Sequence, residues 1–281
     1  RERRISSGEG TRHLAAKAAE RALAAAGVAP EELDIIILGT SSPDRNYPSD
    51  ACSVQAAIGA VNAVAFDISA ACAGFIFAMN IVEGFFKAGI YKTALIIGAE
   101  TLSKVTDWSD RGTCVLFGDG AGAAVLKAEE TGIIDMMMGA DGTKGDVLAC
   151  TSRTVGNFLT GTKPELGFMT MDGQEVFKFA VRKVPESVME LLQRTGTKKE
   201  DIKYYVLHQA NERIIEAAAR RLKEPMEKFP MTISQFGNTS TASIPLLLDD
   251  MIRKDMLKKG DKIIMSGFGA GMTWGAVLME W

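Results

Sequence analysis

One pattern occurs twice along the chain, and this repetition constrains the fold more than any other feature of the sequence. A helical segment over residues 11–26 leads into the apolar run 33–40, and a second helical segment over 180–195 leads into the run 200–208. A shift of 169 positions superposes the two units, including the glycine that ends each helix. An apolar run after a capped helix is typical of a buried strand, so each unit predicts a helix, a loop and a strand.

A second unit of the same kind follows each of the first. Residues 74–88 form an apolar helical segment that leads into the run 93–98, and residues 244–259 lead into the run 262–267. The final glycines of these two runs again differ by 169 positions. One such match arises easily by chance in an α/β chain, but two matches in the same register are much less expected. We therefore infer an internal duplication.

The duplication predicts two similar α/β halves related by a pseudo-twofold axis, which we place at residues 1–132 and 133–281. In such a pair, the loops that follow equivalent strands meet near the axis. We therefore expect a functional site to be built from the segments 69–75, 208–213 and 237–243.

The composition disfavours several classes of function. The chain carries 35 Asp and Glu against 32 Lys and Arg, and no basic run is interleaved with aromatic residues, so a nucleic-acid interface is not expected. No apolar run reaches the roughly 18 residues that a membrane helix requires. The basic start at residues 1–4 precedes polar residues rather than a signal-peptide core. We therefore expect a cytoplasmic protein without a membrane segment.

Cysteine and histidine are too scattered for a metal site. The four cysteines have no C-x-x-C spacing and are interpreted as reduced thiols: Cys52, Cys72, Cys114 and Cys150. The two histidines, His13 and His208, lie far apart in the chain. A zinc site with several histidine ligands is therefore not expected, and no metal is predicted.

Cys72 is the first candidate for chemistry, because it lies between a short apolar run and an apolar helix. A thiol at a strand-to-helix turn is close to the positive end of the helix, which lowers the pKa of a thiol. The Ala and Gly neighbours of Cys72 leave room for a substrate. The alternative is a small core residue, since free cysteine is often buried. The local sequence favours neither interpretation.

His208 and Asn238 are the second and third candidates. His208 lies where the duplication brings the second half toward the axis, which favours a functional over a structural role. Asn238, in the turn before Pro245, has a strong alternative as a turn or cap residue. The glycine-rich stretches 118–123 and 267–272 lack the helix that a dinucleotide site requires. Glycines at a strand end can instead offer backbone N–H groups to an oxyanion.

Together these segments resemble the β-ketoacyl-[acyl-carrier-protein] synthase III family of the thiolase superfamily over essentially the whole chain. The most telling match is the segment 70–75 around Cys72. The other matching segments are 1–3, 110–113, 117–126, 208–211, 237–240 and 268–275. The resemblance implies a thiolase-like five-layered α-β-α-β-α sandwich built from the two halves. It also implies an acyltransferase that initiates type II fatty-acid synthesis as a homodimer.

The resemblance implies a Cys–His–Asn triad, which falls on Cys72, His208 and Asn238. It implies that the Cys72 thiolate attacks an acyl-CoA, with acetyl-CoA as the first candidate, and keeps the acyl group. Malonyl-acyl-carrier-protein then loses CO₂, and His208 and Asn238 donate hydrogen bonds to the resulting enolate. The backbone N–H groups of Cys72 and Gly269 would form the oxyanion hole. No cofactor is implied, because CoA is part of the substrate.

The resemblance also assigns binding residues. Contacts with acyl carrier protein are implied for Gln209, Ala210, Asn211, Glu212, Arg213, Lys178 and Arg220, with Arg221 nearby. Contacts with CoA are implied for Arg111, Gly173, Gln174, Phe177 and Arg213. An acyl pocket is implied from Leu102, Phe117, Met169, Phe268 and Tyr47, the last inserted from the opposite subunit. Basic residues on one helical face suit an acidic carrier protein, although a solvated face is the alternative.

Several departures from the family pattern leave the substrate open. The family carries further residues before the segment that matches Arg1, with a first strand and an aromatic residue that stacks on the CoA adenine. Tyr47 replaces a more familiar Phe and Gln174 a frequent Asn. Two alternatives therefore stand beside the initiating synthase: a synthase that primes a polyketide or alkylquinolone pathway, and a non-catalytic member that binds carrier protein. Thiolases are disfavoured because Gly269 replaces their second cysteine, and elongating synthases because a matching second histidine is lacking.

Overall fold

The computed structural model describes residues 2–281. The helices are α1 Thr11–Ala26, α2 Asp50–Ile58, α3 Gly74–Lys87, α4 Gly173–Thr195, α5 Glu212–Leu222, α6 Ile233–Phe236 and α7 Ser243–Arg253. The strands are β1 Ile35–Gly39, β2 Val64–Ile68, β3 Thr93–Glu100, β4 Gly120–Lys127, β5 Ile133–Ala140, β6 Leu148–Cys150, β7 Met169–Met171, β8 Ile202–Leu207, β9 Lys262–Gly269 and β10 Thr273–Glu280. Short 3-10 turns precede the helices α3 and α7, at Ala71–Ala73 and Ser240–Ala242.

Two four-stranded sheets lie on either side of a central helical layer. The first sheet has the order β2-β1-β3-β4 and the second the order β5-β10-β9-β8. Helices α3 and α7 lie between the sheets, since their apolar side chains share one buried cluster with strands of both. Helices α1 and α2 cover the outer face of the first sheet, and α4 and α5 cover the outer face of the second. The predicted five-layered α-β-α-β-α sandwich is confirmed.

The strand β1 shows why its sequence is a continuous apolar run. Successive side chains of a strand point to opposite faces of the sheet. Ile35 and Ile37 therefore pack against the central helices, whereas Ile36 and Leu38 pack against the outer helices. Both faces of β1 are buried, so alternation between apolar and polar residues is absent from this strand, as in other sheets covered on both sides.

The two halves repeat the same topology. In the first half β1 and β3 run parallel and β4 returns antiparallel, and β8, β9 and β10 repeat this arrangement in the second. β3 begins at Thr93 and β9 at Lys262, which preserves the shift of 169 positions. The halves differ at both edges: within residues 2–281, β2 pairs with the outer side of β1 without a counterpart beside β8, and β5 pairs with the outer side of β10 without a counterpart beside β4. The domain boundary between 132 and 133 stays a prediction, and it falls between β4 and β5.

Two helix boundaries differ from the sequence-based prediction. The helix predicted over 244–259 ends at Arg253, because the chain leaves the helical conformation at Asp255, where φ is 55°. The helix predicted over 180–195 begins earlier, directly after Asp172. The Asp172 side chain accepts hydrogen bonds from two backbone N–H groups of the first turn, at 3.0 Å and 3.1 Å, and this cap starts the helix there.

Glycine allows the two halves to approach closely at the axis. Gly98 in β3 lies against the backbone carbonyl of Thr241, in the turn before α7, so a Cβ at residue 98 would overlap that carbonyl group. Gly39 and Gly74 contact the Thr241 side chain, and a Cβ at these positions would lie 2.7 Å and 2.9 Å from its Cγ2 atom. The turn before α7 therefore fits against a surface that carries no side chains.

Gly98→Ala is expected to destabilise the fold, because the new methyl group has no room beside the Thr241 backbone. Overpacking of this kind costs about 1–3 kcal/mol. The control is Gly84→Ala in α3, where no atom lies within 4 Å of the added Cβ. That variant should gain up to about 1 kcal/mol, because Ala is the better helix former. Urea denaturation followed by circular dichroism measures both, and equal stability of the two variants would contradict the close approach.

Candidate active site

The turn after β2 presents Cys72 at the axis. β2 ends at Ile68, and Ala71–Ala73 form a single 3-10 turn that continues directly into α3. Ala71 adopts a φ of 47°, a left-handed conformation that is uncommon for a residue with a side chain. Cys72 follows it and is 7% exposed. The predicted strand-to-helix turn is present, and its left-handed residue sets the direction in which the chain enters the helix.

The thiol of Cys72 is protonated in the resting protein. Burial raises the pKa of the thiol to about 12, and the hydrogen bond with the Ser240 hydroxyl lowers it only in part. The sequence analysis predicted a lowered pKa from the position of the thiol at a helix N-terminus. That prediction is wrong in direction, because the turn is enclosed and the loss of water around a thiolate outweighs the field of the helix end.

His208 directly follows β8, and a serine that the sequence analysis missed orients its ring. The His208 backbone N–H donates to the carbonyl of Ser266 at 2.8 Å. The ring atom Nδ1 lies 2.6 Å from the hydroxyl oxygen of Ser243, and the ring meets Phe268 edge-on at 5.3 Å between centroids. Burial lowers the pKa of His208 to about 3, so the imidazole is neutral around pH 7.

Ser243 determines which imidazole nitrogen carries the proton. The backbone N–H of Gln209 donates to the Ser243 hydroxyl oxygen at 3.3 Å. The buried hydroxyl proton itself needs an acceptor, and Nδ1 of His208 is in place to accept it. The proton of the neutral ring is thereby assigned to Nε2. No motif spacing connects residues 243 and 208, because α7 brings them together only in the folded chain.

Asn238 is held by three hydrogen bonds. Its backbone N–H donates to the carbonyl of Leu116 at 2.9 Å, and its own carbonyl accepts from the N–H of Gly118 at 2.9 Å. Its side-chain oxygen Oδ1 accepts from the backbone N–H of Ser240 at 2.8 Å. Asn238 is thus a turn residue, as the alternative interpretation held. The hydrogen bond to Oδ1 also fixes the orientation of the side-chain amide, which leaves the Nδ2 amino group free to act as a donor.

A cavity of about 250 Å³ brings the candidates together. Its lining includes Cys72, His208, Asn238 and Gly269. Gly269 lies directly beside the thiol-bearing residue, since a Cβ at position 269 would lie 2.5 Å from the Cys72 backbone nitrogen. The residues that the family resemblance assigned to the triad and to the oxyanion hole therefore share one space.

The residues expected to form an acyl pocket divide into three groups. Phe117 and Phe268 line the cavity. Leu102 and Met169 are buried with Phe117 in a small apolar cluster, and they support this wall without lining the cavity. Tyr47 is 86% exposed and lies outside the cavity.

A second cavity, of about 420 Å³, opens beside the first. The two cavities share Gly173, Phe177 and Asn211, so they form neighbouring parts of one route toward Cys72. The other residues that line this outer cavity are Gln174, Lys178 and Arg213. Two cationic side chains therefore flank the entrance.

Five of the expected binding residues do not line this outer cavity: Gln209, Arg111, Ala210, Glu212 and Arg220. Gln209 is 1% exposed, and its side chain bonds to the carbonyl of Leu207 at 2.8 Å and to the N–H of Thr232 at 2.9 Å. Contrary to the prediction, this side chain is not accessible to a carrier protein, because it is used to hold the turn. Arg111 is exposed on a different turn. The next residue, Gly112, lines the first cavity, which contains Cys72 and is called the inner cavity below.

The start of α5 carries the other residues that the resemblance assigned to carrier-protein binding. Asn211 caps the helix, and its side chain accepts from the backbone N–H of Arg213 at 2.9 Å. Ala210 and Glu212 are half-buried beside it, whereas Arg213 and Arg220 are exposed. Arg213 and Arg220 lie two helical turns apart on one face of α5.

Neither a metal centre nor a membrane helix is found in the part of the chain that the structure describes. Its His, Cys, Asp and Glu side chains form no group of three or more that could hold a metal ion. Its helices are too short or too polar to cross a bilayer.

The raised pKa of Cys72 predicts slow alkylation by iodoacetamide at neutral pH, because the thiolate is the reactive species. We expect the rate at Cys72 to rise about tenfold per pH unit up to about pH 10. A lowered pKa would instead give a plateau near neutral pH. Peptide mass spectrometry measures the rate, with Cys72→Ser as the control for assignment. A plateau near pH 7 would show that the field of the helix end outweighs burial.

Comparisons with known proteins agree with this fold. Residues 66–142 match the family described as 3-oxoacyl-[acyl-carrier-protein] synthase III, and residues 192–281 match the C-terminal part of that family. A relative from Clostridium acetobutylicum, named β-ketoacyl-[acyl-carrier-protein] synthase III, is 51% identical over 283 positions, which cover 100% of this chain and 87% of the relative. A relative of the same name from Clostridium novyi is 52% identical with the same coverage.

A solved structure extends the similarity to three dimensions. The crystal structure of 3-oxoacyl-[acyl-carrier-protein] synthase III from Aquifex aeolicus matches with a TM-score of 0.92 and 45% identity, over 100% of this chain and 88% of that chain. The similarity therefore covers both halves and every element that builds the cavity. The chain belongs to the β-ketoacyl-[acyl-carrier-protein] synthase III family, the condensing acyltransferases that initiate type II fatty-acid synthesis.

Proposed function

We propose that Cys72 accepts an acyl group from an acyl-CoA thioester, with acetyl-CoA as the first candidate substrate. The observation that carries this proposal is a cavity whose lining includes Cys72, His208, Asn238 and Gly269. A thiol that forms an acyl intermediate needs backbone N–H donors for the tetrahedral oxyanion and space for the acyl group. The backbone of Cys72 and Gly269 supplies the donors, and the aromatic wall of the cavity supplies the space.

Acylation moves the acyl group from one sulfur atom to another. The Sγ atom of Cys72 attacks the thioester carbonyl, and the N–H groups of Cys72 and Gly269 hold the oxyanion until CoA leaves. The proton of the Cys72 thiol ends on the sulfur of the departing CoA, so the buried site has the same charge before and after the step. This balance suits a site in which burial keeps Cys72 protonated and His208 neutral.

Condensation follows when malonyl-acyl-carrier-protein takes the place of CoA. Loss of CO₂ from the malonyl group leaves an enolate, whose oxygen accepts hydrogen bonds from His208 Nε2–H and Asn238 Nδ2–H. The enolate carbon attacks the acyl carbonyl on Cys72, the C–S bond breaks, and the released thiolate takes up a proton from solvent. The product is a 3-oxoacyl-acyl-carrier-protein. Ser243 supports the donor role because it places the imidazole proton on Nε2.

CoA and carrier protein are proposed to reach Cys72 through the same entrance. Lys178 and Arg213 line the outer cavity, where they present positive charge to the phosphates of CoA or to an acidic carrier protein. Arg220 extends this charge along the same face of α5, and its exposed guanidinium makes only a 3.8 Å ion pair with a glutamate one turn earlier. Arg111 is proposed as a further CoA contact at the rim of the inner cavity.

The protein is proposed to act as a homodimer in which Tyr47 completes the acyl pocket of the partner. Tyr47 lies on the loop between β1 and α2 and is 86% exposed. An aromatic side chain gains most from burial, so an exposed tyrosine on a short loop suits a contact with a second chain. Phe117, which lines the cavity and is backed by Leu102 and Met169, belongs to the wall that it would complete.

The first test is intact-protein mass spectrometry after the chain is mixed with acetyl-CoA. We expect one acetyl adduct on the wild type and none on Cys72→Ser. The adduct should disappear as acetoacetyl-carrier-protein forms after malonyl-acyl-carrier-protein is added. Folded protein that forms no adduct with acetyl-, propionyl- or longer acyl-CoA would overturn the proposal and favour a non-catalytic member of the family.

His208→Ala and Asn238→Ala are expected to separate the two half-reactions. Both variants should still form the acetyl adduct on Cys72, because their side chains are assigned to the enolate. Condensation should slow by about 100-fold or more, the usual effect of removing one preorganised donor. Single-turnover rates of adduct formation and of product formation measure the two steps. Full condensation activity in His208→Ala would show that the assignment of the enolate donors is wrong.

A further inference from the structure

Glu100 is a buried carboxyl group beside the active site that the mechanism above does not use. It ends β3 and is 0% exposed. Its Oε2 atom accepts hydrogen bonds from the Ser42 hydroxyl at 2.6 Å, the Ser41 N–H at 3.0 Å and the Thr40 hydroxyl at 3.2 Å. Its Oε1 atom lies 3.0 Å from the hydroxyl oxygen of Thr241. A buried carboxyl group with these partners is either ionised and stabilised by the donors, or protonated and neutral.

Thr241 connects Glu100 to the turn that carries the nucleophile. The Thr241 hydroxyl oxygen lies 2.8 Å from the carbonyl oxygen of Ala71, the residue before Cys72. A carbonyl oxygen can only accept, so Thr241 donates its one hydroxyl proton to Ala71. The hydrogen bond between Thr241 and Glu100 then needs Glu100 as its donor. Glu100 can donate only if its Oε1 atom is protonated.

The surroundings of Glu100 support the same assignment. Burial raises the pKa of Glu100, and the hydrogen bonds from Ser42, Ser41 and Ser240 offset this effect only in part. An ionised Glu100 would also place a negative charge near the thiolate that forms during the reaction, which would raise the pKa of the thiol further. A neutral Glu100 avoids this repulsion.

The duplication places Glu100 and Thr241 opposite the catalytic pair. A shift of 169 positions relates Cys72 to Thr241 and Glu100 to Gly269. On one side of the axis a thiol therefore lies beside a glycine that offers a backbone N–H. On the other side a hydroxyl lies beside a buried carboxyl group, and this second pair contacts the first through the Ala71 carbonyl.

We propose that Glu100 is a neutral carboxylic acid that positions the nucleophile. It donates its proton to Thr241, and Thr241 in turn holds the Ala71 carbonyl and thereby the orientation of Cys72. The neutral state also leaves the thiolate of Cys72 without a like charge beside it. The inference rests on the proposed role of Cys72 as nucleophile, but the protonation state of Glu100 is measurable without any acyl transfer.

Difference infrared spectroscopy between the wild type and Glu100→Gln tests the protonation state at pH 7. We expect the wild type to show a carboxylic-acid C=O stretch that Glu100→Gln lacks, with the carboxylate bands unchanged. Asp50→Asn serves as the matched control, because Asp50 is another buried carboxyl group and lies at the start of α2 rather than beside Thr241. The Glu100 band should persist in that variant. Loss of a carboxylate band in Glu100→Gln would show an ionised Glu100 and overturn the proposal.

The acetylation rate of Cys72 at pH 7 tests the positioning role. Glutamine can donate to Thr241 and accept from Ser42 as the neutral acid does, so Glu100→Gln should stay within about threefold of the wild type. Glu100→Leu and Thr241→Val remove the chain of hydrogen bonds to Ala71 and should each lose roughly tenfold. An inactive Glu100→Gln, or a fully active Thr241→Val, would contradict the inference.

Two controls keep the outcome interpretable. Circular dichroism melting shows whether each variant folds. If Glu100→Leu does not fold, Thr241→Val still tests the inference, because valine keeps the branched side chain and removes the hydroxyl. If the wild type does not accept acetyl-CoA, the rate of Cys72 alkylation by iodoacetamide can be compared between the wild type and the same variants. Failure of the proposed function and failure of this inference are therefore distinguishable.

Discussion

The hydrogen bond between the Thr241 hydroxyl and the Ala71 carbonyl, 2.8 Å long, joins the two turns on which the rest of the site depends. Each turn begins a central helix, and each starts from a left-handed residue, with φ of 47° at Ala71 and 48° at Ser240. The turns can meet only where the neighbouring strand has no side chain, as at Gly98. Cys72 and Asn238 consequently come from opposite halves of the chain and still line one cavity.

Burial, rather than ion pairing, determines the charge of the site. It keeps the Cys72 thiol protonated and the His208 ring neutral, since in both groups the charged form is the one that loses hydration. Backbone and side-chain N–H donors are more effective in such surroundings, because little water competes for the oxyanion. The disadvantage is that the resting thiol is poorly nucleophilic, so its proton has to leave as the thioester is attacked.

The fold, and the three residues that the structure brings to one cavity, could be predicted from the sequence because both leave local signals. The duplication is visible as a repeated spacing, and Cys72, His208 and Asn238 each lie in a short recognisable segment. Ser243 and Glu100 leave no such signal, since their partners become neighbours only in the folded chain. The predicted direction of the Cys72 pKa shift was wrong for the same reason. The position of Cys72 at a helix end is visible in the local sequence, whereas its burial depends on the packing of both halves.

The equivalence of Cys72 and Thr241 shows that two turns of the same backbone form can carry different side chains at the same place. A duplicated ancestor with identical halves presents the same turn twice, with the two copies facing each other across the axis. In this chain one copy carries sulfur and the other oxygen, while the left-handed backbone before each is retained. The copy in the second half supplies the hydroxyl that holds the Ala71 carbonyl of the first. The two turns therefore share one backbone conformation, and the different functions of Cys72 and Thr241 depend on their side chains alone.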